Sequence, residues 1–390
     1  YYNFYYINLI PLNFRKIEQH IPPPNPDIGG FPHQTENITY DDTELETAIK
    51  KLNLPTWSRG YIPCSHPRSE IKCWQVIKAY RKIIEWESAV QKLPKDDSTP
   101  FLVHTYTKNG GIGNRLMQEC VASAVAMMLG RAVSVEARVP QNGRRRAKHP
   151  YEYPSAGTVR YSNLGLNGCG KKTPHLNLAT HHNYLFFNFF NESVNQYHLT
   201  FRETALSDII YLNQQVSDFA REHFGMFAQY FILNYIASIP RRYLDLISQL
   251  FAPVPPHTRL FGVHLRFQWA GQFYSWSVAS TINVVVPFIN SILSEKPTVL
   301  CLASDNNEMM TEFGKYFPYL QSNAIRKPDF DHDSGFADVV MLMNCHQFLL
   351  SYRSTFSALV SLKTGIRPYL IEKEAKTIFL ALNSQCASQN

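Results

Sequence analysis

Between residues 259 and 371, three apolar, strand-like runs each end in a short polar motif, and helical patterning separates them. Leu260–Leu265 leads into His264-Leu265-Arg266. Thr298–Leu302 leads into Ala303-Ser304-Asp305-Asn306, and Phe348–Ser351 into Ser354-Thr355-Phe356-Ser357. Alternation of this kind predicts an α/β fold with a largely parallel sheet. Ligands of such sheets bind in the crevice outside the carboxyl ends of the strands. A guanidinium, a carboxylate beside a hydroxyl, and a hydroxyl pair should therefore meet one ligand. Arg offers a planar fork to phosphate oxygens, and Asp suits a ribose or a base. Hydroxyls and helix-start N–H groups suit a leaving oxygen. The set fits a nucleoside diphosphate.

A chain of 390 residues suits two domains, and 45% hydrophobic with 13% aromatic residues excludes wholesale disorder. The stretch Ala252-Pro253-Val254-Pro255-Pro256 is the linker candidate. Beyond it, strands are expected near 259–266, 298–303, 347–351 and 367–371, with helices near 280–295, 306–316, 335–346 and 354–364. Before it, Cys73–Leu93 reads as a helix with an apolar stripe through Trp74, Ile77, Tyr80, Ile83, Ile84 and Val90. Phe101–Thr107 reads as a strand that enters a glycine-rich turn and then a helix running to about Gly130, and Ala132–Ala137 is the next strand. Segment 138–180 is loop-rich, and 183–250 is mixed with several helical stretches. Residues 11–45 are rich in Pro, Asn and Asp and read as a stalk or surface arm. The expected order is an arm over 1–45, a first α/β domain over 46–255 and a second over 256–390.

Net charge is +7, and segment 131–172 holds nine Lys/Arg against two Asp/Glu. That segment suits a solvated loop, a phosphate surface or an acidic-glycan surface. Nucleic acid is disfavoured, because no helix-turn-helix, zinc-finger or RNA-binding signature is present. Seven scattered cysteines, without CxxC or a Cys/His cluster, predict no metal site. Cys64 and Cys73 suit a disulfide or a reduced, buried pair. Two sequons, Asn37-Ile38-Thr39 and Asn191-Glu192-Ser193, are of the secretory type. The first fourteen residues are too short and too polar to span a membrane, and read as the trimmed end of a signal-anchor or a truncated start. There is no GxSxG elbow, and no paired carboxylates for glycoside hydrolysis can be located.

Each motif also has a structural reading. Gly110-Gly111-Ile112-Gly113-Asn114-Arg115 lacks the Lys-Ser/Thr of a P-loop, and its glycines could serve the turn alone. Asn114 and Arg115 nonetheless open a helix, where the macrodipole favours an anion by about 0.3–1 kcal/mol. His264 and Arg266, two apart, are expected on one strand face. Ser304-Asp305 is a helix cap or a ligand contact, and so is Asp338, read as opening the apolar helix Val339–Met343. Ser354, Thr355 and Phe356 are a cap or an anion site.

Four of these segments, in order, resemble motifs of the fucosyltransferase-like GT-B superfamily, which includes plant xyloglucan-type α-1,2-fucosyltransferases and protein O-fucosyltransferases. Gly111-Ile112-Gly113-Asn114-Arg115 is similar to its GLGNR or GRFGNQ segment, and Gly262-Val263-His264-Leu265-Arg266 to its GIHLR motif. Ala303-Ser304-Asp305 is similar to ATD, and the segment from Phe348 to Leu359 to the last motif, where SSFSAF or STFG occurs. The resemblance spans about 101–371. Many relatives carry a Gly and an acidic residue after HLR, whereas Phe267, Gln268 and Trp269 follow here.

The resemblance implies two Rossmann-like domains facing a central cleft. It implies inverting transfer of fucose from GDP-fucose to a glycan or protein hydroxyl, with no metal or other cofactor. Arg266 would neutralise the diphosphate and Asn114 would lie near the reacting sugar. His264, Asp305 and Asp338 would contact guanine or ribose. Ser354, Thr355 and Phe356 would hold the β-phosphate and nucleotide, with Gly111, Gly113, Arg115 and Ser304 completing the donor site. No acceptor base is assigned; Asp331, Asp333 and Glu119 are candidates. The resemblance also implies a Golgi or ER-lumenal type II protein, anchored N-terminal to this chain. Two readings stand beside it: a non-catalytic GDP-sugar or glycan-binding relative, and a transferase for another nucleotide sugar. Acceptor choice is expected to lie in 138–250, with a galactose-ended glycan first and a protein Ser/Thr second.

Overall fold

An unbroken apolar run makes a strand that must be covered on both faces, and Leu260–Leu265 is buried throughout. The computed structural model describes residues 38–55, 64, 70–93, 101–106, 112–137, 175–177, 187–191, 198–201, 213–256, 258–267, 277–322, 332–352, 354–372 and 377–381. In chain order these form α1 (Asp42–Lys51), α2 (Cys73–Gln91), β1 (Phe101–Tyr106), α3 (Ile112–Leu129), β2 (Ala132–Ala137), β3 (His175–Asn177) and β4 (His198–Phe201). There follow α4 (Gln214–Phe224), α5 (Ala228–Ile236), α6 (Arg241–Phe251), β5 (Arg259–Leu265), α7 (Val278–Leu293), β6 (Thr298–Ser304), α8 (Asn307–Gly314) and β7 (Tyr319–Leu320). The last are α9 (His332–Met343), β8 (Gln347–Ser351), α10 (Thr355–Thr364), β9 (Tyr369–Glu372) and β10 (Thr377–Leu380).

Two sheets result. The first has the order β2-β1-β4-β3 and is parallel. The second has the order β10-β9-β8-β5-β6-β7 and is parallel except for β10, which pairs antiparallel with β9. From β5 the chain winds outward to β6 and β7, then returns to lay β8 and β9 on the other side. The order therefore reverses between β5 and β8, the place where parallel sheets form their ligand crevice.

Side chains alternate across β5. Phe261, Val263 and Leu265 pack into a core with Val278, Ile282, Val285 and Ile289 of α7 and with Met309 and Phe313 of α8. Gly262 and His264 turn to the opposite face, where Leu342, Phe348 and Ser357 lie. Gly262 is tightly packed: a Cβ would come within 3.0 Å of Leu342 and 3.1 Å of Phe348, so those side chains would have to give way.

The described residues from Thr39 onward group as one compact unit, and the two sheets are joined through α3, α5 and α10. The buried Lys363 at the end of α10 donates from Nζ to the carbonyls of Leu233 (3.2 Å) and Ala237 (2.9 Å) at the end of α5. In return, Asn234 Nδ2 donates to the Lys363 carbonyl at 2.9 Å. These bonds add side-chain donors to carbonyls at the two helix ends, where backbone donors run out; Leu233 also keeps the Ala237 N–H at 3.2 Å.

Several boundaries differ from the sequence reading. The expected end of the arm, residue 45, falls inside α1, where Asp41 caps Glu44 N at 2.7 Å and Arg81 forks onto the Glu44 carboxylate. Asp338 does not open a helix. α9 begins six residues earlier, at His332, and mid-helix Asp338 accepts a hydrogen bond from Ser322. The short strands β3, β4, β7 and β10 were not foreseen. Cys64 and Cys73 form a disulfide. Among the described residues, no helix is long and apolar enough to cross a membrane.

Candidate functional site

The carboxyl ends of β5 and β8 sit side by side at the reversal point, and one hydroxyl stitches them. Ser351 Oγ donates to the His264 carbonyl at 3.0 Å and accepts from Arg266 N at 2.9 Å. The strand stops at Leu265, so Arg266 lies one residue past its end, in the exit loop. The Ser351 bond turns the chain and leaves the Arg266 side chain about one-third exposed at the strand mouth.

His264 goes inward. It is 3% exposed, its Nδ1 lies 2.7 Å from Ser357 Oγ, and its ring stacks on Phe356 with centroids 4.4 Å apart. Both partners belong to the first turn of α10. His264 thus holds the start of that helix against β5.

Asp305 follows β6 and faces the same loop. Its Oδ2 pairs with Arg266 Nε at 3.1 Å, and its Oδ1 accepts from Phe267 N at 2.7 Å. Ser304 donates to the Leu265 carbonyl at 2.7 Å. The cap of α8 is Asn306 rather than either of these, through Met309 N at 3.0 Å. Asp338 accepts a hydrogen bond from Ser322. Ser354 is the cap of α10, accepting from Ser357 N at 3.4 Å.

The glycine motif reaches the same place from the other sheet. Gly113, in the first turn of α3, lies on the first turn of α10. A Cβ there would be 2.4 Å from the Thr355 carbonyl oxygen and 2.9 Å from Phe356 N. The backbone approach, rather than a positive φ, demands glycine. Asn114, next to it, is exposed. Two helix starts, each with N–H groups lacking intrahelical acceptors, are thereby brought together near the mouth that holds Arg266.

Gly111 and Asp331 lie outside the described residues, as do the side chains of Arg115 and Asp333. Glu119, a base candidate, is 1% exposed inside α3. Ser351 and Ser357 carry bonds that sequence reasoning assigned to neither. Their signal was positional: one ends a strand, and the other stands three residues after a cap.

The mixed α/β fold, with its parallel-rich sheet, is the GT-B-type fold of solved fucosyltransferases. Two solved structures show the likeness. A mutant of Arabidopsis thaliana FUT1 in complex with GDP superposes with a TM-score of 0.56 at 11% identity, covering 87% of this chain and 91% of that one. Fucosyltransferase NodZ from Bradyrhizobium gives a TM-score of 0.51 at 12% identity, covering 72% of this chain and 99% of that one. No protein-family model matches the sequence, and no curated protein is similar to it by sequence.

Proposed function

We propose that this protein is a glycosyltransferase that takes fucose from GDP-fucose and passes it to a hydroxyl of a glycan or protein. One observation carries the reading: the chain's four strand-end and helix-start motifs meet at the reversal point of a sheet whose fold it shares with fucosyltransferases, one of them solved with GDP. Arg266 supplies charge at the mouth, and the starts of α3 and α10 supply N–H groups and the hydroxyls of Ser354 and Thr355. These groups suit a leaving diphosphate. Asn114, exposed at the start of α3, would meet the sugar. In this reading the charge that develops on the leaving oxygen is met by these protein groups, transfer inverts the anomeric centre, and no metal is required. Residues 46–255 are the acceptor side and 256–390 the donor side, with acceptor choice resting on 138–250.

Removing one preorganised donor to a developing oxyanion costs about 2.7–4 kcal/mol, or roughly 10²–10³ in rate. Arg266→Ala should lose that much, and Arg266→Lys should recover little, because an ammonium lacks the planar fork. A lumenal site in the secretory pathway belongs to the same proposal. The Cys64–Cys73 disulfide supports it, since such bonds persist in oxidising compartments.

The deciding experiment is calorimetric titration of GDP-fucose, GDP and GDP-mannose into wild type and Arg266→Ala, in EDTA, followed by acceptor screening. GDP binding that survives EDTA and is weakened by about 10²-fold in the variant supports the reading. Absence of guanine-nucleotide binding by wild type overturns it. Binding without hydrolysis or transfer marks a non-catalytic relative, and preference for another nucleotide sugar changes the donor.

A further inference from the structure

We propose that Asp305 is a positioning residue for Arg266, and that it serves the diphosphate end of the donor rather than its base. The inference rests on the nucleotide-sugar reading above and assigns Asp305 a different task from the direct guanine or ribose contact that the sequence resemblance implied.

The geometry is specific. Asp305 sits at the end of β6, next to β5 in the sheet, with Leu265 and Ser304 in register. Its two carboxylate oxygens serve two consecutive residues of the β5 exit loop: Oδ1 takes the Phe267 N–H at 2.7 Å, and Oδ2 faces Arg266 Nε at 3.1 Å. Ser304 adds a third bond to the same turn through the Leu265 carbonyl. Ser351 adds a fourth from the other side through Arg266 N. The backbone of Arg266 and its neighbours is therefore held from both adjacent strands, and the guanidinium is ion-paired on its Nε edge.

Chemistry gives this arrangement a purpose. A guanidinium carries five N–H groups, one on Nε and four on the two terminal nitrogens. Engagement at Nε fixes the plane and directs the terminal fork, the pair that matches two phosphate oxygens. Arginine has a large rotamer entropy, so a side chain oriented beforehand loses less on binding. Asp305 is 16% exposed at its side chain and Arg266 36%, so the pair lies at the edge of solvent, where an arriving anion can meet the fork.

The variant Asp305→Asn tests this, because it keeps an Oδ1 acceptor for Phe267 N and removes the charge facing Arg266. Binding of GDP, GMP, guanosine, IDP and ADP is measured calorimetrically for wild type, Asp305→Asn, Arg266→Ala and the double variant, with thermal melting as a check on folding. A positioning role predicts that Asp305→Asn weakens GDP about tenfold and leaves guanosine unchanged, on the scale of one charge-assisted hydrogen bond. It predicts an unchanged preference of GDP over IDP and ADP. It also predicts that the loss disappears in the Arg266→Ala background, since coupled residues are non-additive. Should Asp305→Asn instead relax base preference or weaken guanosine as much as GDP, Asp305 reads the base and the inference is wrong while the donor class stands. Equal losses with and without Arg266 also overturn it. Wild type that binds no guanine nucleotide sinks the functional reading, and the inference falls with it.

Discussion

Gly113 of α3 rests directly on the backbone of Thr355 in α10, at a separation that leaves no space for a methyl group. The contact joins the helix that follows β1 to the helix that follows β8, so it joins the two sheets at their candidate site. A flexible side chain can yield to a new Cβ, but a helix backbone cannot yield without moving the helix.

Gly113→Ala should therefore separate the two helix starts. Overpacking of a close contact costs about 1–3 kcal/mol, and the shift falls on the groups proposed to meet the diphosphate. The expected result is a modest fall in urea midpoint with a larger fractional loss of GDP affinity. Equal affinity in a folded variant would show that the spacing of α3 and α10 is irrelevant to binding.

A second relationship lies underneath. His264 Nδ1 is 2.7 Å from Ser357 Oγ, and both groups are buried. Ser357→Ala leaves the ring nitrogen without that partner, at a cost of about 1–3 kcal/mol. Chemical denaturation should show this loss. Ser357→Thr keeps the hydroxyl and should recover part of it, limited by an extra methyl in a fully buried site. A Ser357→Ala variant as stable as wild type would mean that the bond contributes nothing.

The second half of the fold was legible because its strands are continuous apolar runs and its helices have caps. β8 was read at its observed bounds, and β5, β6 and α10 to within one residue at each end. Polar destinations were harder. Spacing placed His264 and Arg266 on one face, but it does not reveal that β5 ends between them. Nor does composition show that Asp305 meets Arg266 and the Phe267 N–H at the β5 exit. The helix α9 was expected to begin near residue 335 and begins at His332, because the apolar run from Phe336 marks where the helix is buried, not where it starts. The short strands β3 and β4 carry three and four residues, too few for a period-2 pattern to register.

Lys363 offers a test in pH. Burial lowers its pKa from the usual 10.5 to about 7, against a small opposing influence of the nearby Cys120. A neutral amine has two hydrogens, and the Leu233 and Ala237 carbonyls take two. Between about pH 7 and 10.5 the unfolded chain holds a proton that the folded one does not, so stability rises with pH there, by up to about 1.4 kcal/mol per unit. Lys363→Met removes this titration while keeping an unbranched stem. Urea unfolding at pH 7, 8 and 9 should show the wild type gaining on the variant as pH rises. A difference that stays flat, or runs the other way, would show that Lys363 remains charged in the fold.

The Cys64–Cys73 disulfide acts at a distance along the chain. Cys73 opens α2, and Ile71 just before it packs against Gly365, where α10 ends in a left-handed turn with φ of +67°. A Cβ on Gly365 would lie 2.3 Å from Ile71 Cδ1, so the fold needs glycine there for both conformation and space. Closing a loop of this size restrains the unfolded chain by about 2–3 kcal/mol. The double variant Cys64→Ser with Cys73→Ser should lose stability of that order and loosen Ile71. Because Ile71 buttresses the end of α10, Gly365→Ala should be better tolerated once the bridge is gone, as Ile71 can then retreat. Measured as a double-mutant cycle, the two changes should cost less together than the sum of their separate losses. Strict additivity would show that the bridge and the end of α10 are mechanically independent.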